Sequence, residues 1–249
     1  MDSKPIIEAR DITVRYDGNT IIKDVTFDVF PGEVLVIVGG SGCGKSVLLR
    51  QVTGLELPSA GKVYIDGIDL TTAKENERNK IMRRFGILFQ SSGLFASMTI
   101  AENIALLLEY YTELNEEEIS QVIELKLRAV GLEGYGNYLP SEISGGMKKR
   151  AALARAMTLD PDILFFDEPS SGLDPVTAAS LDILIKNLNE ALGTTMVVVT
   201  HDLASIFSIS HRVLMLDKEA KGIIAEGTPD ELKIYSKDER VYKFFNRLA

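Results

Sequence analysis

The chain has 249 residues, of which 45% are hydrophobic, and its 36 acidic side chains outnumber its 27 basic ones, for a net charge of −9. One domain of this length can bury roughly 70–75% of the surface that its unfolded chain exposes. The negative charge argues against sequence-independent binding of nucleic acid and against direct attraction to an anionic bilayer, because both depend on a cationic surface. We therefore expect any attachment to a membrane to go through a protein partner.

The single cysteine, Cys43, rules out an intrachain disulfide. Low cysteine use is typical of proteins in a reducing compartment. The apolar runs, such as residues 196–199, have the length of a strand and fall far below the ~20 residues that a membrane-spanning helix needs. These features predict a cytoplasmic protein that does not insert into the bilayer.

The first part of the chain alternates like an antiparallel sheet, with strands expected at 6–16, 21–30 and 62–65. Asp-Gly pairs at 17–18 and 66–67 supply the chemistry of tight turns. The next strand, 34–38, is apolar at every position, as expected of a strand that is covered on both faces.

A glycine-rich loop follows this apolar strand, and residues 39–46 read GGSGCGKS. Gly39, Gly44, Lys45 and Ser46 satisfy the pattern G-x-x-x-x-G-K-[ST]. Glycines let the backbone approach phosphates closely, and a helix that begins near Gly44 adds free N–H groups and the positive end of its dipole. Lys45 supplies a charge for the outer phosphates, and the Ser46 hydroxyl can bind Mg²⁺. The loop therefore predicts a site for a nucleoside triphosphate.

Residues 46–52 are expected to form a helix, and 87–89 another short buried strand. From 91 to 160 helical periodicity replaces the strand runs, which indicates an inserted helical subdomain. Within it, Ser144 is placed to cap a helix, and Gly145 and Gly146 leave its N-terminus open to an anion. In isolation, this motif favours an ordinary capped helix.

Strand runs return at 163–166, 196–199 and 212–216. Buried strands that alternate with helices predict an α/β fold with a mostly parallel core sheet and an N-terminal antiparallel β subdomain. We expect a single domain in which 1–90 and 160–227 form a nucleotide-binding core, 91–159 a helical subdomain and 228–249 a helical tail. The tail combines a capping box at 228–231 with an apolar stripe, which either packs on its own domain or docks on a partner: Val241, Phe244, Phe245 and Leu248.

Asp167 and Glu168 follow the strand at 163–166. Two acidic side chains at the end of a buried strand cost desolvation free energy unless a cation compensates. Mg²⁺ between them and the phosphates would do so, with Asp167 holding the metal through water and Glu168 acting as general base. An acidic loop is the simpler interpretation of this pair alone, and the phosphate-binding loop favours the catalytic one.

Taken in order, these motifs resemble those of the ATP-binding cassette (ABC) ATPases over nearly the whole chain. Residues 39–46 resemble the family's Walker A loop, and 163–168 its Walker B strand with the catalytic glutamate. Residues 143–147 are similar to the signature, usually Leu-Ser-Gly-Gly-Gln, and 171–174 match the D-loop. Three single residues also match, namely Gln90 of the Q-loop, the switch histidine His201, and Tyr16 where the family places an aromatic ring against adenine.

The resemblance implies a P-loop ATPase that works as a head-to-tail homodimer, with two ATP molecules and Mg²⁺ held between the subunits. It implies that Lys45, Gln90, Glu168 and His201 are catalytic. It also implies that Ser46, Gln90 and Asp167 serve the metal. The implied ATP-binding residues are Tyr16, Gly39, Gly40, Ser41, Gly42, Cys43, Gly44, Lys45, Ser46, Val47, Ser144, Gly145 and Gly146.

The signature departs from the family pattern at Met147, which replaces glutamine, so that only Ser144 can cap the helix. The run at 144–150, together with Leu94-Phe95 and 99–103, resembles one branch, the Mla/Mkl (MlaF-type) ATPases of bacterial phospholipid and Mce-associated transport. That branch implies integral-membrane permease subunits, peripheral attachment at the inner membrane and room for a small accessory subunit. Leu94, Phe95, Tyr110 and Tyr111 are expected mostly in the core, with 94–95 a candidate permease surface.

Other functions remain open. An ABC ATPase can serve assembly or cell division without transport, or can serve a transporter of another substrate. A nucleotide-gated scaffold with negligible hydrolysis is a third possibility, against which the intact Asp167, Glu168 and His201 argue.

Overall fold

The computed structural model of the chain describes residues 4–248. Within that range the strands form two sheets, and none of the helices has the length and apolar character needed to cross a membrane. The strands are β1 (Ile7–Tyr16), β2 (Asn19–Val29), β3 (Val34–Gly39), β4 (Ala60–Ile65), β5 (Ile68–Asp69), β6 (Phe85–Leu88), β7 (Ile163–Asp167), β8 (Thr195–Val199), β9 (Arg212–Asp217) and β10 (Gly222–Gly227). The helices are α1 (Lys45–Val52), α2 (Glu75–Met82), α3 (Ile100–Tyr111), α4 (Glu116–Ala129), α5 (Gly145–Ala156), α6 (Pro175–Leu192), α7 (Leu203–Ile209), α8 (Pro229–Tyr235) and α9 (Glu239–Asn246).

The smaller sheet is antiparallel and has the strand order β2-β1-β4-β5. Asp17 and Gly18 join β1 to β2 with φ angles of 48° and 79°. Asp66 and Gly67 join β4 to β5 with φ angles of 51° and 79°. Two successive positive φ angles are the mark of a type I′ turn, whose twist matches that of paired strands. Both predicted turns are confirmed.

The larger sheet has the order β10-β9-β3-β8-β7-β6, and all its neighbours run parallel except β10 and β9. The predicted α/β class, with a mostly parallel core sheet beside an antiparallel one, is confirmed. The edge strand β10 was not predicted, because it is only partly buried and its apolar run, 223–225, is only three residues long.

Both faces of the larger sheet are covered, which explains its continuous apolar strands. Along β3, Val34, Val36 and Val38 pack into the layer that includes residues of α3, α5, α6 and α7. Leu35 and Ile37 point to the other face, where α1 and the antiparallel sheet complete a second core. The glycine-rich loop thus leaves a strand that is fixed from both sides.

The inserted region contains α3, α4 and α5, which lie between β6 and β7 in the chain. Reciprocal capping boxes begin two of these helices, Thr99 with Glu102 at α3 and Asn115 with Glu118 at α4. Such a box satisfies two otherwise unpaired N–H groups at the helix start. Helical structure in this stretch is therefore as expected, while the exact subdomain boundaries stay a prediction.

Three of the four apolar residues expected mostly in the core are exposed. The exposed fractions of Phe95, Tyr110 and Tyr111 are 47%, 77% and 39%, whereas Leu94 is partly buried against the core. The prediction is wrong for the three aromatic residues: Tyr110 and Tyr111 lie after Leu108, the last buried residue of α3, and Phe95 lies in the loop before that helix. The rings of Tyr110 and Tyr111 pack edge to face with their centroids 4.8 Å apart.

The tail packs on its own domain. Thr228 and Glu231 form the predicted capping box of α8. Val241 and Phe245 of α9 are buried, Phe244 is partly buried against the same core, and Leu248 is exposed. Of the two alternatives for the apolar stripe, packing on its own domain is therefore found for most of its length.

A buried carboxyl group joins α6 to α7. Asp182 is 3% exposed, and its Oδ2 accepts a hydrogen bond of 2.8 Å from the Ser205 hydroxyl. Its Oδ1 is buried without a hydrogen-bond partner in the described chain. Burial raises the pKa of Asp182 to about 6, because the charged form loses solvation.

We expect Asp182→Asn to stabilise the protein at pH 8 and not at pH 4. The folded-state pKa lies above the unfolded one, so the contribution of Asp182 to stability is complete below pH 4 and is lost as the pH rises through about 6. Asparagine removes that loss, which is on the order of 1–3 kcal/mol. Urea unfolding at both pH values measures the difference. Glu190→Gln, on the exposed face of α6, is the control, and equal gains at both pH values would contradict the assignment.

Candidate active site

Four strands of the larger sheet deliver the predicted residues to one place. Gly39 ends β3, Asp167 ends β7, Gln90 lies two residues beyond β6, and His201 two residues beyond β8. The carboxyl ends of parallel strands share one edge of the sheet, where α/β proteins bind ligands. A cleft of about 620 Å³ opens there, lined by Gly39, Gly40, Ser41, Gly42, Gly44, Lys45, Ser46, Val47, Gln90, Glu168, His201 and Phe244.

The glycine-rich loop has a backbone that other residues adopt only with strain. The φ angles of Gly39, Gly42 and Gly44 are 148°, 73° and 102°. A Cβ atom on Gly39 would also lie 2.3 Å from the carbonyl oxygen of Leu216. Helix α1 begins at Lys45, one residue earlier than predicted, with no side-chain cap and no acidic residue in its first turn. Its first N–H groups therefore remain available to an anion.

Lys45 lies over the loop that precedes it. Its ammonium donates hydrogen bonds to the carbonyl oxygens of Gly39 at 2.9 Å and Gly40 at 3.3 Å. A lysine ammonium has three N–H donors, so one remains for a ligand in the cleft. The loop and its lysine together form a cationic cradle.

Ser46 and Asp167 form a candidate pair of metal ligands. The Ser46 hydroxyl donates a 2.8 Å hydrogen bond to Oδ1 of Asp167. Hydroxyl and carboxylate oxygens are the donors that Mg²⁺ prefers, and it normally completes its shell with phosphate and water. In the described range, no cluster of three or more His, Cys, Asp or Glu side chains could hold a metal by itself. The donor set therefore fits Mg²⁺ that arrives with a nucleotide.

Glu168 is held in an unusual conformation at the base of the cleft. Its φ is 49°, and its N–H donates to the carbonyl oxygen of Val199 at 2.8 Å. Its carboxylate oxygens lie 2.8 and 2.9 Å from Nδ1 of His201. The glutamate side chain is 12% exposed and the histidine side chain 67%. A positive φ is uncommon for a residue with a side chain, and in Glu168 it accompanies the contact between the carboxylate and the histidine.

Gln90 lines the cleft and is tied to two other segments. Its side-chain amide donates a long hydrogen bond of 3.4 Å to the Ser171 hydroxyl. Its main-chain carbonyl oxygen accepts a hydrogen bond of 2.7 Å from Nζ of Lys149. The neighbouring Phe89 is 41% exposed. The prediction of a buried run through residue 89 is therefore wrong at its last position, because β6 ends at Leu88.

The signature residues lie outside this cleft. Ser144 caps α5 by accepting a 3.3 Å hydrogen bond from the Met147 N–H, and no reciprocal side chain completes a box. Ser144 and Gly145 are exposed. A Cβ atom on Gly146 would lie 2.4 Å from Cγ2 of Thr177, so this glycine lets α5 approach α6 closely. The structure does not bring these residues to the loop of their own chain.

Two further predicted binding residues do not line the cleft. Tyr16 lies at the end of β1, where its hydroxyl donates a hydrogen bond to Glu56. This bond raises the pKa of Tyr16 and lowers that of Glu56. Cys43 is 2% exposed, and burial raises the pKa of its thiol. Cys43 therefore supports the loop from behind. The second histidine, His211, has a structural role, since its Nδ1 accepts a hydrogen bond from the Val34 N–H.

Sequence reasoning missed two residues at the site. Phe244 of α9 lines the cleft, and only its place in the apolar stripe of the tail draws attention to it. Lys149 reaches the backbone of Gln90 and Glu168. A lysine within a helix that carries other charges gives no signal of burial.

Known proteins are similar to this chain in sequence over most of its length. The sequence model of the ABC transporter family matches residues 22–171. The ATP-binding protein MlaF of the intermembrane phospholipid transport system of Haemophilus influenzae is 39% identical over 239 residues, which are 96% of this chain and 89% of that protein. The probable ribonucleotide transport ATP-binding protein mkl of Mycobacterium leprae is 41% identical over 240 residues, 96% of this chain and 68% of that protein.

A solved structure is similar in fold and in sequence. It is the dimeric post-hydrolysis state of the ATP-binding cassette MJ0796, bound to ADP and Pi. It matches with a TM-score of 0.80 and 32% identity over 89% of this chain and 98% of that one. A family match over more than half of the sequence, relatives near 40% identity and a cleft at the expected sheet edge agree, and the chain belongs to the ABC transporter family of ATP-hydrolysing cassettes.

Proposed function

We propose that this ABC ATPase is the subunit of a bacterial transporter that hydrolyses ATP with Mg²⁺ to move a lipid, specifically a phospholipid, through a separate permease. The observation that carries the ATPase mechanism is the meeting of the loop, Glu168 and His201 in one cleft, with Asp167 hydrogen-bonded to Ser46 of its lining. The lipid is supported by the similarity to MlaF, whose name gives phospholipid transport as its function.

The loop and α1 would hold the phosphates of ATP. The first turn of α1 has no side-chain cap, which leaves its N–H groups free for an anion, and Lys45 adds its charge. The ring of Tyr16 would stack on the adenine ring. The hydrogen bond from the Tyr16 hydroxyl to Glu56 fixes the tyrosine ring at the end of β1. Bound Mg²⁺ would offset the phosphate charge, held by Ser46 with Asp167 and Gln90 beside it.

Glu168 would act as general base. In this step its carboxylate takes a proton from a water molecule as the water oxygen bonds to the γ-phosphorus and ADP leaves. His201 holds the carboxylate at 2.8 Å, and the Gln90 side chain would orient the same water. Phosphoryl transfer depends mainly on positioning and charge stabilisation, which is what this arrangement offers.

We expect Glu168→Gln to lower kcat for ATP hydrolysis by about 10²–10⁴ while ATP affinity stays near that of the wild type, because only the proton acceptor is lost. Phosphate release and nucleotide titration measure the two quantities. Glu190→Gln is the matched control on an exposed helix face. Near-normal turnover in the Glu168 variant would refute its role.

The signature helix implies a second copy of the chain. The N-terminus of α5 is exposed at Ser144 and Gly145, and it does not line the cleft that holds the other motifs. Ser144 and Gly146 of one subunit would therefore face the γ-phosphate held by Lys45 of its partner. The dimeric MJ0796 cassette supports this arrangement.

Ser144→Glu tests the dimer. In the Glu168→Gln background, we expect ATP to convert the parent protein from monomer to dimer in size-exclusion chromatography with light scattering. The added carboxylate would repel the partner's phosphate, so the double variant should bind ATP as a monomer. Ser141→Glu, an exposed serine three residues earlier, should still dimerise. Dimerisation of the Ser144 variant, or loss of its monomeric ATP binding, would count against the arrangement.

The loop at Leu94 and Phe95 is the proposed docking site for the permease. Phe95 is exposed, and its ring lies 5.0 Å from the guanidinium of Arg155. Docking there would attach the protein to the cytoplasmic face of the inner membrane, where a small accessory subunit could also bind.

Phe95→Asp should lower recovery of integral-membrane partners in detergent at least tenfold, because it places a charge in an apolar contact, while the ATPase activity of the isolated chain is retained. Lipid analysis of the wild-type complex should find bound phospholipid. Phe30→Asp, at an exposed phenylalanine of the antiparallel part, is the control. A complex without an integral-membrane subunit would favour the alternative of an ABC ATPase that serves assembly or cell division.

A further inference from the structure

A buried lysine connects α5 with the backbone of the active site. Lys149 is 5% exposed, although the neighbouring Lys148 is only partly buried. Its Nζ donates hydrogen bonds to the carbonyl oxygens of Gln90 at 2.7 Å and Glu168 at 3.4 Å. Burial lowers the pKa of Lys149, while the nearby carboxylates of Asp167 and Glu168 favour its charged form.

A lysine is costly to bury unless its ammonium is well paired. Both partners of Lys149 are main-chain oxygens of the residues proposed to handle the attacking water. Neither segment belongs to a regular element at that point, since Glu168 has a φ of 49° and Ser92 and Gly93 have φ angles of 67° and 65°. The ammonium therefore supplies a buried contact that these two irregular segments share, in addition to the exposed hydrogen bond between Gln90 and Ser171.

Arg155, six residues further along α5, holds the other end of the Gln90 segment. Its guanidinium donates a hydrogen bond to the Gly93 carbonyl oxygen. The segment from 90 to 93 is thus attached to α5 at both ends. The same helix begins at Ser144, outside the cleft. A displacement of α5 would be passed directly to Gln90 and Glu168.

We propose that Lys149 is a positioning residue. From its place on α5, the signature helix, it fixes the positions of the main-chain atoms of Gln90 and Glu168. Through it, contact between the N-terminus of α5 and the ATP held by a second copy adjusts the water-handling groups of the subunit's own cleft. Each chain would thereby link the two ATP sites of the dimer. This inference rests on the proposed roles of Glu168, Gln90 and Ser144.

Lys149→Met tests the inference, because methionine fills similar space and removes the donor. We expect kcat to fall about 10–10²-fold, the loss that a small misplacement of catalytic groups causes, with ATP affinity unchanged. In the Glu168→Gln background the variant should still dimerise with ATP. We expect a Hill coefficient of hydrolysis above 1 in the wild type and of about 1 in this variant. Lys148→Met is the matched control and should behave as the wild type.

Lys149→Arg should recover part of the lost turnover, since it restores donors and charge, and it replaces the methionine variant if that protein does not fold. Wild-type kcat and Hill coefficient in Lys149→Met would overturn the inference, as would loss of ATP-driven dimerisation or no difference between the arginine and methionine variants. Failure of the proposed function is seen separately, as normal turnover in Glu168→Gln or dimerisation of Ser144→Glu.

Discussion

Parallel pairing places the carboxyl ends of β3, β8 and β7 side by side, because each strand leaves the sheet at the same edge. Every other feature of the site follows from that arrangement. The glycine-rich loop leaves β3, the two acids leave β7 and the histidine follows β8. Ser46 and Asp167 are 121 positions apart in the chain, yet they hydrogen-bond at 2.8 Å. Apolar packing on both faces of the sheet keeps these strands in register. It thereby fixes the distances between the polar groups that follow the strand ends.

The parts of the site that the sequence predicts are those whose chemistry is local. A loop such as 39–46 must contain glycine where φ is positive and lysine where phosphate binds, so its pattern is visible without the fold. The apolar strands and the two Asp-Gly turns are equally local. Lys149 could not be found in this way, because its partners lie 59 and 19 positions away and only the packing of α5 brings them within reach. The exposure of Tyr110 and Tyr111 depends likewise on the face that α3 turns to the core, which the aromatic residues themselves do not reveal.

Charges at the cleft are arranged by backbone as much as by side chains. The overall charge is −9, but α1 has no acidic residue in its first turn, and Lys45 lies over the loop. Ser46 contacts Asp167 and His201 contacts Glu168, which also lines the cleft. The loop side of the cleft therefore offers N–H groups and an ammonium to an anionic ligand, in a protein whose overall charge is negative.

The position of Phe244 bears on how the protein can be handled. Its helix, α9, is the last in the described chain, and the ring stands on the wall of the nucleotide cleft. Ile6, near the start of the described chain, borders a different cavity with Asp162 and Thr195, at the amino ends of β7 and β8. A fluorescent label attached near Phe244 would lie beside the nucleotide cleft, whereas a label attached near Ile6 would lie at the opposite edge of the larger sheet. The surface around Ile6 is therefore the better place for a label in a measurement of nucleotide binding.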